Sequence, residues 1–275
     1  MKLKFTLGNA KIPGIWTFSL PAGWTCPGAK ECLCKADRKT GKVTDGPDTK
    51  FRCFAASDER YTATRMNRWH NFDLLKGKST AEMSKLIQES LPAKAKLIRV
   101  HVSGDFFNNF YFDAWMHVAR CRPDIKFYAY TKSLNFWLRR IGDLPTNFML
   151  NASRGGVHDE LIDQHDLKSA EVVFSEVDAD TKGLRIDHDD SLAYGQDKSF
   201  ALLIHGTQPA GSLAAKALSA LRKLGITGYG KKAALAVVLL TTVFDGVRND
   251  LWPVWYRTGN ENIFSKIKIF GERFV

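Results

Sequence analysis

Short apolar runs alternate with helical patterns along the chain from about residue 97 onward. Five runs have the length of a strand and are rich in apolar, β-branched and aromatic residues, at 97–102, 126–130, 147–150, 171–174 and 200–204. An earlier strand is predicted at 14–20. Strands that alternate with helices are typical of a parallel sheet with crossover helices. We therefore expect an α/β protein with at least six strands.

Polar residues mark the helix starts between these strands. The residues placed to cap helices are Ser79, which forms a capping box with Glu82, then Asn108 or Asn109, Ser133, and Ser212. Helices that follow such caps would cover the sheet. The predicted fold is a parallel (β/α) barrel of the TIM type, partial or complete, although an open doubly wound sheet fits the same strands.

Length and composition suggest one large domain followed by a shorter segment. Residues 1–225 form the predicted α/β domain, and residues 226–275 are an appended segment of uncertain structure. The segment contains a twelve-residue run of apolar residues and threonines at 233–244, which is too short for a membrane span of about 20 residues. We expect no membrane association and, without a secretory leader, a location in the cytoplasm.

The chain carries a formal net charge of +11. Such a charge favours binding to a polyanion such as nucleic acid. No arginine-rich block, helix-turn-helix spacing or finger of paired cysteines and histidines accompanies it. The charge alone does not name a partner, and a basic solvated surface explains it equally well.

Four of the five cysteines lie in one polar stretch, arranged C-x5-C-x-C-x18-C at Cys26, Cys32, Cys34 and Cys53. In a reducing compartment such a group is more often a metal site than a disulfide framework. Zinc sites usually use two paired knuckles, whereas an iron–sulfur cluster accepts wider and less regular spacings. We predict a [4Fe–4S] cluster, with zinc or unliganded thiols as alternatives.

Polar groups recur where the predicted strands end. They are Ser103, Gly104 and Asp105, then Lys132, Asn151, Arg154, Glu176 and His205. Ligands of parallel α/β folds bind at the carboxyl ends of the strands. We expect a mouth that binds a cofactor or small molecule, chiefly through Ser103, Gly104, Asp105, Lys132, Asn151 and His205. Ser103, Ser133 and Ser153 are explained equally well as helix caps.

Other polar motifs have simpler explanations. The acidic run at 187–190 fits a polar loop better than a hard-metal site. His70 is expected to be a packed histidine, and Cys121 a small buried thiol on a helix. No nucleophile elbow, Walker loop, dinucleotide fingerprint or metalloprotease motif occurs in the sequence.

Several motifs together resemble a phage and prophage family known as gene product 88. They are LPAGWTCPGA at 20–29, FRCFAA at 51–56, HVSGDFF at 101–107, YTKS at 130–133 and HGTQ at 205–208. The resemblance covers about residues 15–224 and implies a bacteriophage origin without a defined activity. The family pattern centres on cysteines that match Cys26, Cys32 and Cys53.

The order of first strand, cysteine loop and Ser-Gly-Asp after the second strand also resembles the radical S-adenosylmethionine enzymes. That resemblance implies an iron–sulfur enzyme in which S-adenosylmethionine binds an open iron. The spacing here departs from their C-x3-C-x2-C, and Cys34 would close the open iron if it were a fourth ligand.

Two functional hypotheses follow. The first is a phage iron–sulfur protein with a polar pocket, an external electron donor and redox or radical chemistry. The second is a non-enzymatic accessory protein in the infected bacterial host that binds nucleic acid or a host protein.

Overall fold

The computed structural model describes residues 1–8, 12–195 and 198–226. The strands in these residues are β1 (Thr6–Leu7), β2 (Trp16–Ser19), β3 (Cys34–Ala36), β4 (Val43–Asp45), β5 (Leu97–Ser103), β6 (Lys126–Thr131), β7 (Phe148–Ser153), β8 (Ser169–Val173) and β9 (Phe200–Leu203). The α-helices are α1 (Thr62–Leu75), α2 (Thr80–Ser90), α3 (Asn109–Cys121), α4 (Leu134–Leu138), α5 (Glu160–Gln164), α6 (Glu176–Thr181), α7 (Ser191–Gly195) and α8 (Leu213–Lys223). Two 3₁₀ helices span Phe54–Arg60 and Ile141–Asp143.

Seven strands form one mostly parallel sheet in the order β1-β2-β5-β6-β7-β8-β9. Strands β2 and β5 to β9 run parallel to their neighbours, and β1 pairs antiparallel with β2. All six predicted strands are therefore present in an α/β fold. Within the described ranges β1 and β9 are the two edges of the sheet, so a complete barrel is not formed there.

The helix caps are confirmed at three of the four positions. Ser79 and Glu82 form both hydrogen bonds of the capping box before α2. Asn108 Oδ1 accepts a hydrogen bond from Tyr111 N, and Ser212 Oγ accepts one from Ala215 N. Ser133 stands at the start of α4, but its hydroxyl donates to Phe106 O and does not cap the helix.

An apolar layer joins the sheet to α2 and α3. This helix-side core includes Phe18, Ile98 and Phe127 of the sheet together with Phe112 and Trp115 of α3, all fully buried. The helical spacing of the apolar residues of α3 places them on one face, and burial of each large side chain contributes about 1.5–3 kcal/mol. The layer fixes the strand directions and therefore the positions of the strand ends.

Helix α1 and the β3–β4 hairpin are absent from the sequence prediction. The buried positions of α1 are Arg65, Arg68, Asn71 and Leu75, so three of the four are polar. A helix whose buried face is polar shows no apolar repeat, and hydrophobic periodicity does not detect it. The hairpin strands have three residues each and lie inside the cysteine-rich stretch.

Two further sequence predictions concern the membrane and the segment 226–275. No helix in the described part of the chain combines the length and apolar character required to cross a bilayer. Apart from Ile226, the appended segment and its apolar run lie outside the described residues.

Candidate functional site

The cysteine loop (residues 20–53) begins directly after β2 and contains the β3–β4 hairpin. Cys26 lies in the first turn of the loop, Cys34 begins β3, and Cys53 precedes the 3₁₀ helix Phe54–Arg60. Cys34 is buried, whereas Cys26, Cys32 and Cys53 are half-buried. Cys26 and Cys32 feel the charge of Asp105 after β5, and Cys32 and Cys53 feel that of Lys132 after β6.

Burial and mutual repulsion shape the acidity of the thiols. Burial raises the pKa of Cys26 well above its ordinary value, and Asp105 and Cys53 raise it further. Burial raises the pKa of Cys32 to about 11, although the Lys132 ammonium lowers it. The pKa of Cys34 and of Cys53 is raised mainly by burial as well. Thiols in these surroundings favour the protonated form when no cation compensates the thiolates.

Asp105 fastens the end of β5 to the end of β6. Its carboxylate accepts hydrogen bonds from Phe106 N at 2.7 Å, Thr131 Oγ1 at 2.7 Å and Lys132 N at 2.8 Å. Burial raises the pKa of Asp105 to about 6, although these three donors lower it. The predicted mouth residue is thus a fully bonded anchor beneath Cys26 and Cys32.

Gly104 allows the cysteine loop to lie directly on β5. Its φ is +84°, and a Cβ there would meet Leu20 Cβ and Thr25 Oγ1 at 2.6 Å each. A residue with a side chain would be strained and would push the loop away. Ser103, at the end of β5, is buried, and its hydroxyl has no hydrogen-bond partner among the described residues.

Lys132 connects the end of β6 to the end of β7. Its ammonium donates to Ser153 O and Ser153 Oγ, both at 2.8 Å, and to Arg154 O. The loop approaches the same place, since a Cβ on Gly28 would lie 2.1 Å from Lys132 O. The charge of Lys132 therefore stands close enough to lower the pKa of Cys32 and of Cys53.

The HGTQ motif after β9 holds the far end of the cysteine loop. Gln208 Oε1 accepts from Arg52 N at 2.7 Å, and Gln208 Nε2 donates to Arg52 O at 3.3 Å. The ring of His205 lies against Phe54, with ring centroids 3.4 Å apart. His205 thus adjoins the residue that follows Cys53.

A buried ion pair supports the cysteine loop from below. Arg68 Nη1 of α1 lies 2.9 Å from Glu59 Oε1, and both side chains are almost fully buried. The same Glu59 oxygen accepts a hydrogen bond from Ala22 N at 3.1 Å. Arg65 donates to the carbonyl oxygens of Arg38, Lys39 and Glu59. These charged residues hold the loop, and sequence reasoning missed them because they interrupt an apolar pattern.

The sheet face opposite the helix-side core carries a second polar group that was missed. Arg99 Nη1 lies 2.6 Å from Asp190 Oδ2, which also accepts a hydrogen bond from Tyr128 Oη at 2.9 Å. The acidic run at 187–190 is a loop, as predicted, but Asp187 and Asp190 are buried. A cavity of about 370 Å³ lies here, and Arg99, Asp190 and His205 contribute to its lining.

Asn151 contacts the backbone of β6 and α7. It is fully buried, and its Nδ2 donates to Ala129 O and Ala193 O at 3.2 Å each. Its Oδ1 finds no hydrogen-bond partner among the described residues. Arg154 forms an ion pair with Asp163, and Glu176 is the first residue of α6. The structure therefore brings Asp105 and Lys132 together with the cysteines, whereas Asn151, Arg154 and Glu176 serve other contacts.

Two smaller predictions have opposite outcomes. His70 is half-buried and its Nε2 lies 2.9 Å from Lys2 O, which confirms a packed histidine. Cys121 is exposed, so the prediction of a buried thiol is wrong. It is the last residue of α3, where the helix leaves the apolar layer.

A single metal ion finds no ready group of ligands in this geometry. Within residues 1–8, 12–195 and 198–226, no three His, Cys, Asp or Glu side chains are grouped to hold one ion. The thiols nevertheless affect one another, since Cys53 raises the pKa of Cys26, Cys32 and Cys34.

The gene product 88 family model matches residues 2–223 of the chain. The chain belongs to the gene product 88 family. The match covers the whole sheet and the cysteine loop, and it confirms the resemblance carried by the cysteine and strand-end motifs.

Two bacteriophage members of the family are similar over 137 residues. The chain is 30% identical to the Gene 88 protein of Mycobacterium phage L5, over 46% of this chain and 51% of the relative. It is 29% identical to the Gene 88 protein of Mycobacterium phage D29, over 46% of this chain and 50% of the relative. The aligned part is about half the length of these curated relatives. No solved structure matches, and the predicted resemblance to radical S-adenosylmethionine enzymes is not supported.

Proposed function

We propose that this gene product 88 protein holds a [4Fe–4S] cluster through Cys26, Cys32 and Cys53. The observation that carries the proposal is the common electrostatic environment of these three thiols. Cys26 and Cys32 are both affected by Asp105, Cys32 and Cys53 are both affected by Lys132, and Cys53 raises the pKa of the other two. The shared neighbours bring the three thiols to one part of the loop, and the C-x5-C-x-C-x18-C spacing favours a cluster over one ion.

The surroundings of the sulfur atoms suit thiolate ligands. Gly23 N donates a hydrogen bond to Cys26 Sγ at 3.3 Å. The amide groups of Ala55 and Ala56 lower the pKa of Cys53 against the effect of burial. Hydrogen bonds to cysteine sulfurs are one of the means by which proteins tune the potential of such clusters. The positive charge of Lys132 would further stabilise the thiolates of Cys32 and Cys53.

Cys34 differs from the other three cysteines. It is the buried member of the four and packs with Ala22 and Ala56 in a small apolar cluster, and beside burial its pKa is raised by Cys53, then by Cys32 and Asp45. We therefore place Cys34 outside the ligand set. One iron then lacks a cysteine ligand and is available to a small molecule, S-adenosylmethionine included.

The cysteine spacing fits zinc less well than a cluster. Zinc sites usually use two paired knuckles, whereas the spacing here is C-x5-C-x-C-x18-C. When bound, a cluster would supply one-electron transfer. The chain itself would exclude water with the buried loop, hold Lys132 beside the thiolates, and anchor the loop through Asp105. A location in the cytoplasm of a bacterial host stays a prediction.

Anaerobic purification with iron, sulfide and zinc analysis tests the proposal. We expect a brown protein with absorbance near roughly 400 nm that bleaches on reduction. Cys26→Ala, Cys32→Ala and Cys53→Ala should each lose most of the iron. Cys34→Ala should keep it, as should the matched control Cys121→Ala, whose thiol is exposed on α3. A colourless protein with one zinc would contradict the proposal. So would a Cys34→Ala variant with as little iron as the other three cysteine variants.

A further inference from the structure

Trp24 of the cysteine loop and Trp69 of α1 each carry a cation over the ring. Lys35 Nζ lies 5.0 Å from the centre of the Trp24 ring, and the Arg38 guanidinium lies 4.7 Å from the centre of the Trp69 ring. The two indole rings are 5.8 Å apart and tilted by 57°. We call Trp24, Lys35, Arg38 and Trp69 the aromatic-basic surface.

The aromatic-basic surface is open to solvent. Trp24 is 48% exposed, which is unusual for so large an apolar side chain. Lys35 and Arg38 are also exposed, and Trp69 is half-buried. Cation–π contacts cover part of each ring and leave the indoles accessible at the edge of the surface.

Hydrogen bonds hold this surface in a fixed shape. Trp24 Nε1 donates to Ala36 O at 2.8 Å, which fastens the ring to β3. Arg65 of α1 binds the carbonyl oxygens of Arg38 and Lys39 from below. A platform that is already ordered loses little conformational entropy when a ligand binds.

The charge around the two rings is positive. The exposed cations on β3 and the following turn are Lys35, Arg38, Lys39 and Lys42, and the acids beside them are Asp37 and Asp73. Asp73 forms an ion pair with Arg38 at 2.6 Å, and Asp37 accepts hydrogen bonds from the amide groups of Lys39 and Thr40. The excess of cations continues the +11 charge of the whole chain.

We infer that the aromatic-basic surface binds single-stranded nucleic acid. Unstacked bases stack on aromatic rings, and lysines and arginines contact the phosphates. This combination binds single strands of any nucleotide sequence. A duplex offers no free base faces, so the indoles would contribute little to duplex binding. An acidic peptide would use the cations but would gain little from the two tryptophans.

The test measures binding of a fluorescent oligo(dT) of 20 nucleotides to the full chain by anisotropy. Trp24→Ala should weaken binding about tenfold, since one stacked base contributes that much or more. Trp24→Phe keeps an aromatic face but loses the hydrogen bond to Ala36, so it should retain most of the affinity. This pair separates stacking from a merely structural role of Trp24.

The salt dependence tests the cations. Lys35→Ala with Lys39→Ala should lower the slope of log affinity against log salt by about 1.4, because each single-strand phosphate contact contributes about 0.7. The control combines Phe110→Ala and Lys85→Ala, which alter an exposed aromatic and an exposed lysine on α3 and α2. The control should bind like the parent protein.

Several results would overturn the inference. They are no binding at low salt, equal weakening in the control, or an unchanged affinity in Trp24→Ala. Polyglutamate that displaces the oligonucleotide at equal charge concentration would indicate an acidic protein partner instead. None of these results depends on iron content, so they leave the cluster proposal to its own test.

Discussion

The helix-side core and the base of the cysteine loop are both buried, but different interactions hold them. Trp115 in the core packs against the rings of Phe18, Tyr111 and Phe127. Under the loop, Glu59 and Arg68 are joined by an ion pair, Ala22 N donates to Glu59, and Arg68 donates to Ala55 O. Apolar packing has little directionality, whereas a buried ion pair requires its partner at one position.

The difference separates a region held by apolar packing from a region held by charged and polar contacts. The helix-side core is stabilised by the packing of its own apolar side chains. The cysteine loop carries four thiols with raised pKa values above a base of charged residues. Burial of so many polar groups lowers the free energy of unfolding unless a ligand or a precise set of hydrogen-bond and charge partners compensates them.

The largest effect should come from the core. Trp115→Ala removes the largest fully buried side chain and should lower the free energy of unfolding by about 3–5 kcal/mol. Urea unfolding followed by circular dichroism measures it. The neighbouring Phe110→Ala on α3, where the ring is 62% exposed, should change stability by no more than about 0.5 kcal/mol. A loss below about 1 kcal/mol for Trp115→Ala would end the distinction between the two regions.

The loop base should be almost as sensitive, for an electrostatic reason. Arg68→Met leaves the Glu59 carboxylate buried without its charged partner and should cost about 3 kcal/mol. The double variant Glu59→Gln, Arg68→Met removes both charges and should regain most of that loss in the same unfolding experiment. If the double variant is less stable than Arg68→Met alone, the ion pair is not what holds the base.

A pH titration probes a buried histidine next to the core. Burial lowers the pKa of His101 to about 3. His101 therefore takes up a proton near pH 6.5 in the unfolded chain but only near pH 3 in the folded chain. The contribution of His101 to the free energy of unfolding is complete above about pH 6.5 and declines as the pH falls towards 3. Between pH 6.5 and 4.5 the decline should reach about 2 kcal/mol.

His101→Asn is the matched variant for that titration. The φ of residue 101 is +68°, a conformation that asparagine accepts better than most residues. The variant should show a flatter stability profile over the same pH range. Parallel profiles for the two proteins would assign the acid sensitivity to other groups.

The smallest effect concerns the surface of the helical layer. Ser79→Ala removes the capping box of α2 and should cost about 1 kcal/mol in thermal or urea unfolding. Ser212→Ala at the start of α8 removes a similar cap and serves as the comparison. Equal and small losses in the free energy of unfolding would show that the two caps contribute alike, outside both the helix-side core and the base of the cysteine loop.

Sequence patterns predicted the sheet well because apolar side chains carry it. The parallel strands and three of the helix caps follow from periodicity and local hydrogen bonding. The order β2, cysteine loop, β5 was enough to place Cys26 near Asp105. These features depend on neighbours in sequence or on repeated apolar positions.

The remaining features depend on long-range polar contacts. Arg68 meets Glu59, Arg99 meets Asp190, and Lys132 meets Ser153, yet none of these pairs has a sequence signature. Helix α1 was missed because its buried face is polar. Lys132 and Asp105 were predicted as pocket residues, and the structure shows them as anchors whose charges also act on the thiols.

The link between Arg52 and Gln208 has a consequence for how the protein is made. The two residues are 156 positions apart, so the far end of the cysteine loop cannot close until the strand β9 has been synthesised. At about 5–20 residues per second, translation leaves Cys53 without this closure for roughly 8 s or more. We expect the thiols to be more accessible to metal ions, and to oxidants, during that interval. Loading of a cluster would then compete with the completion of the chain.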